Sequence, residues 1–124
     1  MSRLVAHVDD DEDIRLQVRA ILEKEGYSVR SYETVETLLD DMDAAKPDLV
    51  ILDVIVSEAD SGITGYGRLA ERHPNLPVVL LTSLGDAVRP FLADRPEHVW
   101  ILEKPVSPEV LRDAVRQRIG KPGA

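Results

Sequence analysis

Three carboxylates, a hydroxyl and an ammonium group stand at the ends of short apolar runs in this 124-residue sequence; they belong to Asp9, Asp10, Asp53, Thr82 and Lys104. Carboxylates held close together repel one another, so a group of three calls for a cation. Hard oxygen donors in a chain without cysteine favour Mg²⁺, which binds few carboxylates and shares phosphate oxygens. With a hydroxyl and an ammonium group nearby, the set suits phosphoryl transfer to a carboxylate.

These side chains can meet only if the chain brings the ends of its apolar runs together. Five runs rich in Val, Ile and Leu predict strands, at residues 4–8, 27–32, 49–56, 77–82 and 98–103. Most of the runs are continuous rather than alternating, which is typical of parallel strands covered on both faces. Because polar groups gather beyond the carboxyl ends of such strands, an α/β doubly wound sheet would carry all five side chains to one edge.

Segments with helical periodicity separate the predicted strands. The first helical stripe begins at Ile14 and is stopped by Gly26, and the second runs from Val35 to the Lys46-Pro47 step. Since the first stripe begins at once, the acidic block before it is not a disordered tail. The last three acids of that block suit the start of the helix, because they can cap it and their negative charge interacts favourably with the positive end of the helix dipole; they are Asp11, Glu12 and Asp13.

Two later helices have uncertain bounds because glycine and proline interrupt them. We expect the third helix from near Gly65 to His73, where Pro74 stops it. The fourth is expected near residues 86–94, and Pro90 would cut it short.

The last helix has the clearest signals. Ser107 is its expected N-cap and Pro108 its first residue, and four residues are expected to face inward: Val110, Leu111, Ala114 and Val115. We assign residues 1–119 to a single domain and residues 120–124 to a tail or the start of a linker.

Composition excludes several classes of function. A net charge of −8 weighs against nucleic-acid binding by this domain alone, since phosphate contacts need clustered Lys and Arg. No apolar run approaches the roughly 18 residues of a membrane-spanning helix. The absence of cysteine excludes disulfides and thiolate metal sites and fits a reducing compartment. We therefore expect a cytoplasmic protein without a membrane partner.

Four motifs resemble the receiver domain of two-component response regulators, over essentially the whole chain. They are "VDDDEDIR" (8–15), "PDLVILD" (47–53), "PVVLLTS" (77–83) and "EKPVSPEVL" (103–111). The resemblance implies a flavodoxin-like (βα)5 three-layer sandwich whose parallel sheet has the order 2-1-3-4-5. It also implies a phosphoacceptor signalling domain rather than an enzyme with an external substrate, phosphorylated by a sensor histidine kinase or a phosphotransfer protein.

The same resemblance implies the metal ligands. Asp53 would be the phosphoacceptor and a ligand to Mg²⁺ or Mn²⁺, Asp10 a direct ligand, and Asp9 a ligand partly through water. The backbone carbonyl of Ile55 would complete the metal shell.

Three further roles follow from the resemblance. Thr82 would hold a phosphoryl oxygen with help from the backbone N–H of Ser83, and Lys104 would pair with the phosphoryl group. The Lys104-Pro105 bond resembles the family's cis peptide.

Some positions depart from the family's pattern. Ile101 stands where the switch residue is usually Tyr or Phe, and Trp100 beside it would lie on the opposite strand face, where it could contact a partner. Two residues after Asp53 and after Thr82 the chain carries apolar Ile55 and Leu84. These apolar neighbours would hinder an attacking water, so we expect a long-lived aspartyl phosphate.

Alternatives to a phosphorylated receiver are weaker. The atypical fourth helix and switch region suggest a phosphorylation-independent pseudo-receiver, which would keep the fold and bind partners regardless of phosphate. A phosphohydrolase would need a second acid at Ile55, and a flavin-binding protein would need a phosphate loop after the first strand. The resemblance to receiver domains implies that an effector, an output domain or a second copy of the chain would bind the face formed by the fourth helix, fifth strand and fifth helix.

Three histidines have no assigned chemistry, and none suggests a metal site: His7, His73 and His98. Strand alternation puts His7 on the same face as Asp9. We expect His7 to be a satisfied core histidine, with a pH-sensitive role as the alternative.

Overall fold

Five parallel strands form one sheet. They are β1 (Leu4–Val8), β2 (Ser28–Tyr32), β3 (Leu49–Val54), β4 (Val78–Thr82) and β5 (Val99–Glu103). The sheet order is β2-β1-β3-β4-β5, and every pairing is parallel. The computed structural model describes residues 3–54, 59–82 and 98–121, without the side chains of residues 54 and 59–65. The predicted α/β doubly wound class and the strand order 2-1-3-4-5 are confirmed.

Four helices lie within the described residues. They are α1 (Glu12–Glu25), α2 (Val35–Ala45), α3 (Ala59–Arg72) and α4 (Pro108–Ile119). The predicted fourth helix at residues 86–94 falls outside the described residues, so α4 is the helix that the sequence predicted as the last. Among the described helices, none is both long and apolar enough to span a membrane.

Local capping sets both ends of α1. Asp11 has an extended backbone, and its Oδ1 accepts hydrogen bonds from the backbone N–H groups of Asp13 at 2.9 Å and Ile14 at 3.2 Å. At the other end Gly26 adopts φ 105°, in the left-handed region that favours glycine. The acidic block is therefore divided between the helix and the residues that precede it, as predicted.

The predicted start of α3 near Gly65 is wrong, because the helix begins at Ala59 and ends at Arg72. Each glycine within a helix costs about 1 kcal/mol relative to alanine, which is small beside the burial of an apolar helix face. Leu69 of this helix is fully buried in the core. The helix therefore continues through both glycines, Gly65 and Gly67, on which the predicted boundary rested.

The expected burial of Val110 is also wrong. Its exposed fraction is 49%, whereas Leu111 and Val115 are buried. Leu111 and Val115 are four residues apart and lie on one line of the helix, while Val110 is turned about 100° away from Leu111. The inward stripe of α4 is thus narrower than its sequence indicates.

The two faces of the sheet bury separate cores, which gives the predicted three layers. One core packs strand residues against α2 and α3, and includes Val50, Leu52 and Leu80. The other packs strand residues against α1 and α4, and includes Leu22 of α1 and Leu111 of α4. Because successive strand residues alternate between the faces, His7, Asp9 and Asp53 belong to the α1–α4 side and Thr82 to the α2–α3 side.

Candidate functional site

The parallel register aligns the ends of the central strands. Val8 of β1 pairs with Leu52 of β3, so the residues that follow, Asp9 and Asp53, lie level with each other. Across the next ladder Asp53 pairs with Leu81 of β4, immediately before Thr82. As predicted, the sheet carries these polar residues to one edge.

Three carboxylates come together at this edge. Asp9, Asp10 and Asp53 each offer one oxygen, and these oxygens all lie within 4.8 Å of one another. Asp9 is buried and the side chain of Asp53 is 4% exposed. A small cation that binds oxygen at about 2.1 Å holds its ligand atoms about 3 to 4 Å apart, so the cluster needs little adjustment to take Mg²⁺. The donor set consists of hard oxygens and fits that ion.

The electrostatics of Asp9 also favour a cation. Burial raises the pKa of Asp9 to about 6; the charges of Asp53 and Asp10 add to the shift, while the backbone N–H of Asp11 and the charge of Lys104 oppose it. Negative charge is thus costly at this position unless a proton or a cation offsets it.

Lys104 brings positive charge to the same cluster. Its Nζ forms an ion pair with Oδ1 of Asp53, and the Lys104 side chain is 31% exposed. The backbone N–H of Lys104 donates to the carbonyl oxygen of Thr82 at 2.7 Å, which holds the end of β5 beside the end of β4. The Lys104-Pro105 peptide is cis, as predicted.

Hydrogen bonds hold Asp9 from three sides. Its Oδ1 accepts from the backbone N–H of Asp11 at 2.9 Å, and its backbone oxygen accepts from Nη1 of Arg15 at 2.6 Å. Its own N–H donates to the carbonyl oxygen of Tyr32 at 3.0 Å. Among the described residues, Oδ2 of Asp9 has no hydrogen-bond partner. One oxygen of this fixed carboxylate is therefore still available.

His7 lies beneath Asp9 on the same strand face. The side chain is fully buried, and its Nε2 is 3.8 Å from Oδ2 of Asp9. Neither ring nitrogen has a hydrogen-bond partner within the described segments, so the expectation of a satisfied core histidine is wrong. Burial lowers the pKa of His7 to about 4, with the charges of Lys104 and Arg15 adding to the shift. The imidazole is therefore neutral at pH 7.

The remaining predicted residues divide into two groups. Thr82 is fully buried at the end of β4. Ile101 and Trp100 pack against opposite cores, which confirms that they lie on opposite strand faces. Ser83, Ile55 and Leu84 lie outside the described residues, and the roles predicted for them stay predictions.

Two arginines that sequence reasoning missed also contribute. Arg15 binds the backbone of Asp9, and the guanidinium carbon of Arg118 lies 3.3 Å from the centroid of the Trp100 ring. Trp100 is thus half-buried and covered, rather than an open contact surface. Arg15 does end the quoted motif "VDDDEDIR", which was the available signal for it. Arg118 had none, because its contact with β5 depends on how α4 packs.

Comparison with known proteins agrees with this geometry. A family model described as the response regulator receiver domain matches residues 5–116. The chain is 30% identical over 112 residues to the nitrogen assimilation regulatory protein NtrX of Azorhizobium caulinodans, covering 90% of this chain and 25% of that protein. This chain thus spans about a quarter of the length of that relative.

Solved structures show the same likeness. The receiver domain of NtrX from Brucella abortus is 28% identical, with a TM-score of 0.79, covering 93% of this chain and 97% of that one. The BeF3-activated receiver domain of DrrB is 29% identical, with a TM-score of 0.76, covering 98% of this chain and 100% of that one.

Proposed function

The chain belongs to the family of response regulator receiver domains, and from this membership we propose that it accepts a phosphoryl group on Asp53. The donor is the phosphohistidine of a sensor histidine kinase or a phosphotransfer protein. One observation carries the proposal: a buried Asp53 carboxylate shares its cluster with Asp9 and Asp10 and pairs with Lys104. A buried carboxylate among other carboxylates is costly unless a cation or a proton offsets its charge.

The transfer makes one bond and breaks one. A carboxylate oxygen of Asp53 attacks the phosphorus in line, the bond from phosphorus to the donor imidazole nitrogen breaks, and that nitrogen keeps the electron pair. Lys104 moves from the carboxylate to a phosphoryl oxygen, where its charge offsets the charge that the group brings. The hydroxyl of Thr82 and the backbone N–H of Ser83 bind the other phosphoryl oxygens.

Asp9, Asp10 and Asp53 would hold Mg²⁺ or Mn²⁺ in this proposal, and the backbone carbonyl of Ile55 would add a further oxygen. When bound, the ion neutralises charge on the phosphoryl oxygens and helps to align the donor. The carboxylates differ in role. Asp53 must also react with the phosphoryl group, whereas Asp9 is held in place by Asp11 and Arg15.

Receiver domains of response regulators work with histidine kinases and output domains, and the partners of this chain are proposed accordingly. We propose that the residues of the predicted fourth helix, β5 and α4 contact an effector, an output domain or a second copy of the chain. Ile101 and Trp100 transmit the conformational change caused by phosphorylation to that face. The whole chain has a net charge of −8, and we propose that residues 1–119 act in the cytoplasm as one signalling domain without contacting nucleic acid themselves.

The test is covalent modification of Asp53. The protein is incubated with Mg²⁺ and acetyl phosphate, and intact mass is measured for the wild type, Asp53→Asn and the control Asp40→Asn on the exposed side of α2. We expect one added phosphoryl group on the wild type and the control, and none on Asp53→Asn. An unmodified wild type would favour the pseudo-receiver, and steady turnover of an external phosphomonoester would favour a phosphohydrolase.

A further inference from the structure

Unpartnered polar atoms form a row that leads to the acidic cluster. Within the part of the chain that the structure describes, the buried side-chain atoms without a hydrogen bond include Oγ of Ser31, both ring nitrogens of His7 and Oδ2 of Asp9. A buried polar atom without a hydrogen bond destabilises the folded state, so several neighbouring ones call for an explanation.

The sheet brings these three side chains together. Ser31 of β2 is the register partner of His7 of β1, so their side chains lie side by side on the same face. His7 and Asp9 are two residues apart in the chain and so lie on the same face of the sheet, and Nε2 of His7 is 3.8 Å from Oδ2 of Asp9. A hydroxyl, an imidazole and a carboxylate thus run in order from β2 to the cluster.

The three groups can form a chain of hydrogen bonds in which Ser31 donates to His7 and His7 donates to Asp9. A neutral imidazole has one N–H donor and one acceptor nitrogen, and a serine hydroxyl can donate to that acceptor. If Ser31 donates to Nδ1 of His7, then Nε2 carries the proton and can donate toward Oδ2 of Asp9. Neither bond is formed in the structure, in which Nε2 of His7 is 3.8 Å from Oδ2 of Asp9; an approach of about 1 Å would form that second bond.

We propose that His7 is a positioning residue for the metal site, donating from Nε2 to Oδ2 of Asp9 when a cation is bound, with the Ser31 hydroxyl donating to Nδ1 of His7. Oδ1 of Asp9 is already held by the N–H of Asp11 at 2.9 Å, so the bond from His7 fixes the plane of the carboxylate. Partners that orient a ligand in this way typically contribute 10- to 100-fold in metal affinity. This inference rests on the metal site of the proposed function but does not depend on phosphoryl transfer.

The first test measures Mg²⁺ affinity by calorimetry, without any phosphodonor. We expect His7→Val to bind Mg²⁺ about 10- to 100-fold more weakly than the wild type, and His7→Gln to recover most of that loss because its amide keeps a donor. His73→Gln, at a histidine that follows α3, is the matched control and should bind like the wild type. A folded His7→Val with unchanged affinity, or a His7→Gln as weak as His7→Val, would overturn the proposal.

The second test uses the unaltered protein, so it does not depend on a variant that folds. Nitrogen-15 NMR of the His7 ring should show the proton on Nε2, and saturating Mg²⁺ should shift its signal downfield and slow its exchange with water. Ser31→Ala should weaken both responses. A proton on Nδ1, or a His7 signal that Mg²⁺ leaves unchanged, would overturn the proposal. Phosphorylation of Asp53 is measured separately, so either hypothesis can fail alone.

Discussion

The ammonium group of Lys104 pairs with Oδ1 of Asp53, whose side chain is 4% exposed, and so occupies the carboxylate that a cation would also use. In the proposed function, Lys104 and the cation would be two positive partners of one buried carboxylate. They would compete before a phosphoryl group arrives and could cooperate once phosphoryl oxygens are there to share. Loss of the Lys104 charge should therefore affect Mg²⁺ binding and phosphorylation in opposite directions.

Replacing Lys104 with Met should tighten Mg²⁺ binding and slow phosphorylation. A like charge about 5 Å from a cation costs about 3 kcal/mol at an effective dielectric constant of about 20, and less where solvent reaches the charge. Because Lys104 is 31% exposed, we expect Mg²⁺ to bind about 3- to 10-fold more tightly. Acetyl phosphate should then modify the protein at least about tenfold more slowly, since a charge-assisted hydrogen bond is lost. Lys24→Met, in the last turn of α1, is the control; equal or weaker Mg²⁺ binding would contradict the expectation.

Replacing Thr82 with Val should weaken the phosphorylated state without disturbing the core. Val keeps the shape of Thr at this fully buried position but removes the hydroxyl, and a hydrogen bond to a charged group contributes about 1.5 to 3 kcal/mol. We expect beryllofluoride to bind about 10- to 100-fold more weakly to Thr82→Val by fluorine NMR titration. Thr82→Ser, which restores the hydroxyl, should bind within a few-fold of the wild type. Equal affinity in all three proteins would show that the hydroxyl does not contact the group.

The stability of the metal-free protein should change little between pH 4.5 and 6, because Asp9 and His7 act in opposite directions. Burial raises the pKa of Asp9 from 3.8 to about 6, so its contribution to stability is present at low pH and is lost as the pH rises through 6. Burial lowers the pKa of His7 from 6.5 to about 4, so its contribution is present above 6.5 and is lost as the pH falls toward 4.

Single variants should therefore tilt the stability profile in opposite directions. Relative to the wild type, Asp9→Asn should gain stability with rising pH, and His7→Val should lose it, each by up to about 1.4 kcal/mol per pH unit. Urea unfolding at several pH values in a chelator measures both slopes. If both variants changed the pH dependence of stability in the same direction, the opposite pKa shifts assigned to Asp9 and His7 would be refuted.

Replacing Asp11 with Ala should destabilise the protein by about 0.5 to 2 kcal/mol, because α1 loses its N-cap. Asp11 accepts from the backbone N–H groups of Asp13 and Ile14, which alanine cannot do. Glu12→Gln in the first turn is the control and should cost only a few tenths of a kcal/mol. Chemical unfolding measures the free energy of both variants; an unchanged Asp11→Ala would mean that solvent caps the helix equally well.

Replacing Arg118 with Gln should expose Trp100 and cost about 0.5 to 1 kcal/mol of stability. The guanidinium group now covers the ring at 3.3 Å from its centroid. Trp100 is the only tryptophan of the chain, so its fluorescence reports the change directly. We expect a red-shifted emission and stronger quenching by acrylamide in Arg118→Gln, and neither in Arg19→Gln, which changes an exposed ion pair on α1. An unaltered spectrum would show that other groups cover the ring.

Much of the fold follows from local pattern. The apolar runs predicted all five strands to within a few residues, and the capping signals at Asp11, Gly26 and Ser107 predicted helix ends that the structure confirms. Prediction failed where local propensity and tertiary packing disagree. Glycines argued for a late start of α3, although the helix begins at Ala59 and buries Leu69 in the core. Val110 is apolar, yet it lies off the line of α4 that faces the sheet.

The sequence by itself determined which residues reach the site, because a polar residue that ends an apolar run of a parallel sheet must lie at the carboxyl edge. Asp9, Asp10, Asp53, Thr82 and Lys104 were all identifiable in that way. Only the tertiary structure decided which atoms meet there. Nζ of Lys104 pairs with Oδ1 of Asp53, and Nε2 of His7 lies 3.8 Å from Oδ2 of Asp9. Those contacts depend on strand register and on side-chain direction, and a distance of a few ångströms between separate strands leaves no mark in local periodicity.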